Sequence, residues 1–193
     1  MRTKHEIGTR ERIVRATSRL MQRQGYEATG LKQISQEAEA TLGSVYHFFP
    51  GGKTELAVAA VQHGDREFAE LLRACLDRVD DPAAAIIECA GELAVGLRDS
   101  GWLDGCPITT MALESVGRVP GIQSASEEAF ANWRGLVSDK LRRSGFSEDV
   151  ARDLAHTVIN TLEGAEMSAQ VSQSETPLHL AGRHLARLID CYR

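Results

Sequence analysis

Between Gly25 and Lys53 the sequence holds two apolar repeats too short to stand alone and too close together to act apart. Leu31, Ile34 and Ala38 repeat at helical spacing over 31–38; Leu42, Val45 and Phe48 or Phe49 repeat over 42–48. Two-turn helices are unstable in water by themselves, so tertiary packing must hold both. Thr29 is placed to cap the first and Thr41 the second. Only Glu39-Ala40 separates them, and Pro50-Gly51-Gly52 ends the pair. Upstream, 10–24 reads as a longer helix with Ile13, Thr17, Leu20, Met21 and Gln24 on one face and Ala16 beside them; Gly25 is placed to terminate it. Arg12, Arg15, Arg19 and Arg23 fall largely around the rest of that helix. Packed together, the three make a helix-turn-helix unit, whose last helix is the one suited to a DNA major groove.

Beyond Lys53 the pattern changes to long helices. One runs to about Val79, and Asp81-Pro82 starts another that reaches about Ser100. Gly101 to Gly105 break the chain, a shorter helix covers 106–117, and Pro120 precedes one ending near Ser144. Ser147 can cap the next, to about Val171, and Thr176-Pro177 begins the last. The expected fold is all-α, with nine helices: a head over residues 1–52 and a body over 53–193.

Charge divides at the same place. The chain's net charge is −5, yet residues 1–53 carry nine Lys/Arg against five Asp/Glu, a net of +4, and the remainder carries −9. A basic end on an acidic body suits a polyanion-binding head, although one basic solvent-facing helix would give the same count. No apolar run reaches the length of a membrane span, and Met1 to Arg10 lacks the apolar core of a signal peptide. Cys75, Cys89, Cys106 and Cys191 show no C-x-x-C spacing, so a reducing cytoplasm is the expected setting. His5, His47, His63, His156, His179 and His184 form no metal-ligand spacing, and neither metal nor cofactor is expected.

The helix over 42–48 is unusual for an element whose only task is packing. Thr41, Gly43, Ser44, Tyr46 and His47 are small or hydrogen-bonding. Small side chains let a helix approach base edges, and hydroxyls and imidazole can meet bases or phosphates. A half-buried Tyr46 and a merely solvated Ser44 are the plain alternative; the set together favours DNA.

These residues resemble the TetR family of transcriptional regulators. The resemblance is carried by Gly25-Tyr26-Glu27-Ala28-Thr29, by Leu31-x-x-Ile34-Ser35-x-x-Ala38, by Leu42-Gly43-Ser44-Val45-Tyr46-His47-Phe48-Phe49 and by Lys53-x-Glu55-Leu56, with Ile13, Ala16, Leu20 and Met21 upstream. The Phe49-to-Lys53 link is one residue longer than usual, as in the LmrA/YxaF-type branch; Gly105-Cys106-Pro107-Ile108 and Ala112-Leu113-Glu114 resemble that branch too. The resemblance implies a homodimer that binds a palindromic operator, represses, and is released by a small molecule. It implies that Leu42 to His47 form the recognition helix, that Thr29 and Lys53 meet phosphates, and that Arg2 and Lys4 reach the minor groove. Two positions depart from the family pattern: Glu39 stands where glycine is usual, and Gly30 where a second hydroxyl is usual.

In the body, His156, Asn160, Glu163 and Met167 share one helix face, which either lines a pocket or forms a solvated or partner-facing column. Trp102, Cys106, Met111, Phe130 and Trp133 suit a flat aromatic effector, or are simply core. Small-residue stripes on helices 8 and 9 (Ala151, Ala155, Ala165, Ala169; Ala181, Gly182) allow close helix approach; the family pattern puts the dimer seam there, against ordinary burial within one subunit. Cys106, at a helix start, is more simply an inert apolar residue than a redox switch. No catalytic constellation is present at a diagnostic spacing, and a grouping of Ser44, His47 and Glu55 has nothing to bring it together. A helical enzyme, or a helical module that has lost DNA binding, stands as the rival.

Overall fold

The computed structural model describes residues 7–193; Arg2, Lys4 and His5 lie outside the described residues. The described residues form nine helices and no strand: α1 Thr9–Ala28, α2 Leu31–Glu37, α3 Leu42–Phe48, α4 Gly52–Arg78, α5 Pro82–Asp99, α6 Thr109–Ser115, α7 Pro120–Arg143, α8 Glu148–Ser172 and α9 Thr176–Asp190. Packing gathers the described residues into two compact units, 7–66 with 107–129, and 67–106 with 130–193. Thus α6 packs with α1 in the first unit. Among the described residues no helix is long and apolar enough to cross a membrane.

The first unit is built on α1. Ile13, Val14, Ala16, Thr17 and Met21 are buried, and Ile34, Val45 and Phe49 from the short helices are fully buried with them. Gly25 does not end α1 outright. It interrupts the helix with φ 81° and ψ 174°, and a further turn runs on to Ala28. Thr29 therefore does not cap α2: the cap position is Gly30, which makes no side-chain bond. Thr41 caps α3 as its position suggests, its hydroxyl accepting the Ser44 N–H at 3.0 Å.

In the second unit α5, α8 and α9 pack on one another. Asp81 caps α5 through the Ala84 N–H at 3.0 Å with Pro82 in the first turn, and Ser147 caps α8. The small residues expected to form a dimer seam are used inside the chain. Ala151, Ala155, Ala169, Ala181 and Gly182 are buried, and a Cβ on Gly182 would stand 2.9 Å from the Ala90 Cβ of α5. Burial within the subunit thus accounts for these five residues, while Ala165 is half-buried. Trp133 anchors the same unit: it has no exposed surface, and its ring centroid lies 4.2 Å from Phe68 and 5.1 Å from Phe130. Trp133→Ala is expected to cost about 3–5 kcal/mol, the range for emptying a packed aromatic site. Denaturant unfolding of the variant beside the parent chain measures it, and a loss below about 1 kcal/mol would show that this site collapses without a cavity.

Candidate functional site

The α3 helix is divided lengthwise. Val45 and the adjoining Phe49 have no exposure, whereas Tyr46 is 51% and Leu42 is 42% exposed. Thr41, Gly43 and His47 are also exposed, and Ser44 is half-buried beneath the Thr41 hydroxyl at 2.9 Å. The imidazole of His47 rests edge-on against Phe48 at 5.0 Å between centroids. The result is a two-turn rod, clamped by its apolar side, with an amphiphilic ridge of small and hydrogen-bonding groups facing solvent.

The turn that presents this rod is held by Arg12. Its Nε donates to the Ala38 carbonyl at 3.1 Å and its Nη2 to the Glu39 carbonyl at 3.3 Å. Position in α1 places Arg12 on the helix surface, and only the folded turn reveals its partners. Glu39 adopts φ 50°, the left-handed conformation that glycine enters without steric cost. The turn therefore keeps its shape with a residue that strains it. Glu39→Gly is expected to raise stability by about 0.5–1 kcal/mol, the relieved left-handed strain less the added chain entropy. Thermal unfolding measures this; a destabilised variant would mean that the Glu39 side chain contributes more than its backbone costs.

Thr29 and Lys53 are each engaged within the chain. Thr29 has no exposed surface; its hydroxyl donates to the Gly25 carbonyl at 2.7 Å, which leaves its side chain nothing to offer a phosphate. Lys53 is half-buried, donates to the Glu27 carbonyl at 3.1 Å and lies 4.5 Å from the centre of the Tyr26 ring.

The body residues fall in both units. Phe130 and Trp133 touch in the second unit, where Trp102 and Cys106 are half-buried, while Met111 is fully buried in the first unit. Cys106 precedes α6 by three residues, so the helix-start argument for its reactivity has no basis. On α8, His156 and Asn160 are exposed, Met167 is 58% exposed and Glu163 is half-buried. Within one subunit His156, Asn160 and Met167 thus face outward on α8.

The residue that sequence reasoning missed on α8 is Glu166. It is buried on the apolar face, one turn from Leu162 and three residues from Ala169. The available signal was a carboxylate standing inside a continuous apolar stripe. Burial pushes its carboxyl up to about 8 from an ordinary value of 4.5, with the nearby Glu163 charge adding to the rise. Between those two values the folded chain keeps a proton that the unfolded chain has lost, so this group's contribution to stability falls as pH rises from 4.5 to about 8. Glu166→Gln is therefore expected to stabilise the chain, with a melting-temperature gain larger at pH 8 than at pH 5. A pH-independent difference between the two proteins would contradict the buried, neutral carboxyl.

The comparisons with known proteins agree with this geometry. The profile described as "Bacterial regulatory proteins, tetR family" matches residues 13–60, and that of "Transcriptional regulator LmrA/YxaF-like, C-terminal domain" matches 82–184. The chain belongs to the TetR family. It is 35% identical over 171 residues to the HTH-type transcriptional regulator LmrA of Bacillus subtilis, covering 88% of this chain and 90% of that one. It is 33% identical over 181 residues to YxaF of the same organism, an uncharacterised HTH-type regulator, covering 94% and 95%. A TetR transcriptional regulator of Legionella pneumophila superposes with a TM-score of 0.80 at 22% identity, covering 96% and 97%, and shares the fold. TetR-family regulators bind operator DNA, dimerise and answer to small-molecule effectors; the chain is a regulator with a helix-turn-helix, not an enzyme.

Proposed function

We propose that this regulator is a cytoplasmic repressor whose residues 1–52 read a palindromic operator and whose residues 53–193 dimerise and sense an effector. The observation that carries this is the divided surface of α3: Val45 and Phe49 seated, Leu42 and Tyr46 outward. Thr41, Leu42, Gly43, Ser44, Tyr46 and His47 meet base edges and backbone, and Lys53 meets a flanking phosphate. Two such helices, one from each subunit, lie about one helical turn of DNA apart, ~34–36 Å.

The dimer seam uses the outward faces of α8 and α9, since Ala151, Ala155, Ala169, Ala181 and Gly182 are buried within the chain. Met167 and Leu180 are exposed there, and Val171 is 82% exposed, more apolar surface than solvated helices ordinarily leave bare. His156 and Asn160 lie along the same α8 column. A planar aromatic effector, held in the second unit by Trp102, Cys106, Phe130 and Trp133, favours a head spacing that fits the operator poorly. The α4 helix, begun in the first unit and ended in the second, connects the two ends of the response.

Selection of duplexes from a random pool by the full-length protein, followed by mobility-shift titration, tests this reading. An inverted repeat is expected. Tyr46→Ala should weaken binding to it by about 1–3 kcal/mol, while Lys53→Ala should lower the salt slope by about one. Tyr46→Ala binding as tightly as the parent would remove α3 from the interface.

A further inference from the structure

One corner of the first unit is tied to three helices at once. At Gly25, where α1 is interrupted, the backbone runs against α6. The Glu114 carboxyl lies so close to the Gly25 Cα that a Cβ there would stand 2.7 Å from the Glu114 Cδ, so a side chain at position 25 would push the Glu114 carboxyl aside. The same carboxylate accepts the Glu27 N–H at 3.1 Å. One turn further along the chain, Arg118 pairs with the Glu27 carboxylate at 2.7 Å. From α4, Lys53 reaches the Glu27 carbonyl and the Thr54 hydroxyl lies 3.2 Å from the Tyr26 hydroxyl. Toward α2, Thr29 bonds back to the Gly25 carbonyl and Gln24 donates to Gln33 at 2.8 Å.

We infer that Glu114 is a positioning residue for operator binding: from α6 its carboxylate fixes the Gly25–Thr29 corner, and through that corner the seating of α2 and α3. This rests on α3 being the DNA-facing helix. The contact has the marks of a built one. The Glu114 carboxylate lies in the space a Gly25 Cβ would take and accepts the Glu27 N–H, while Arg118 pairs with the Glu27 carboxylate and Lys53 donates to the Glu27 carbonyl. Hydrogen bonds to an ionised acceptor are the stronger class, so the corner follows α6 rather than drifting from it. Any movement of α6 that withdraws Glu114 frees the Glu27 N–H and loosens the base on which α2 and α3 are mounted.

The test uses the full-length dimer and the duplex it selects from a random pool. Glu114→Ala is expected to weaken binding to that duplex on the order of tenfold, the loss of one charge-assisted hydrogen bond, with the salt slope unchanged because no phosphate contact is removed. Glu114→Gln keeps an acceptor oxygen and should recover most of the affinity. Gly25→Ala should also weaken binding, and the double variant should lose less than the two losses combined, because the carboxyl that the new methyl meets is gone. Unchanged affinity in Glu114→Ala, no recovery in Glu114→Gln, or simple additivity with Gly25→Ala would overturn the role. Tyr46→Ala on the same duplex separates the two levels. If it binds normally, the DNA-facing reading of α3 has failed; if it alone weakens binding, only the part given to Glu114 has failed.

Discussion

A two-turn helix cannot hold itself together, and everything this chain does with its first unit follows from how α3 is held. Fixing so few residues yields too few intrahelical hydrogen bonds to repay the lost backbone entropy. Val45 and Phe49 supply what is missing by burying completely, and Thr41 closes the N-terminal turn. Because one side is fully committed, the other is free to be shaped for a partner, and it bears Leu42, Gly43, Tyr46 and His47. Packing and recognition are therefore two faces of one short element.

Holding the helix also means holding the turn before it. Glu39 takes a left-handed backbone conformation there, and Arg12 of α1 ties down both carbonyls of Ala38 and Glu39. A strained turn with three helices converging on it is a rigid mount. The same economy marks the second unit, where Ala151, Ala155 and Ala169 of α8 and Ala181 and Gly182 of α9 are buried inside the subunit while Met167, Val171 and Leu180 stay outside. Buried Glu166 is the exception in that packing, a carboxyl kept neutral by its surroundings.

Local rules made much of this legible. Apolar periodicity marks the helices of the head, proline, glycine and cap residues bound those of the body, and Thr41, Asp81 and Ser147 cap where their spacing places them. Contacts between residues distant in sequence were not legible. Thr29 reads as a cap because hydroxyls before a helix often cap; folding turns its hydroxyl back to Gly25 instead. Small stripes read as an intersubunit seam because small residues permit close approach, but periodicity cannot say which helix approaches, and α5 proves to be the neighbour of Gly182. Glu114 and Glu27 are 87 residues apart, and no local pattern announces that a carboxylate will lie on Gly25. A charged residue within an apolar stripe, as at Glu166, was a visible signal of a different kind: it marks a buried ionisable group without naming its neighbours.

The most direct test of the outward α3 ridge is a photocrosslinker placed at position 46 of the full-length protein, irradiated with the selected duplex bound. Crosslinks to bases within each half of an inverted repeat are the expected result, with none from a crosslinker at exposed His156 on α8. A silent position 46 together with crosslinks from position 156 would mean that the DNA lies elsewhere and that the ridge on α3 serves some other partner.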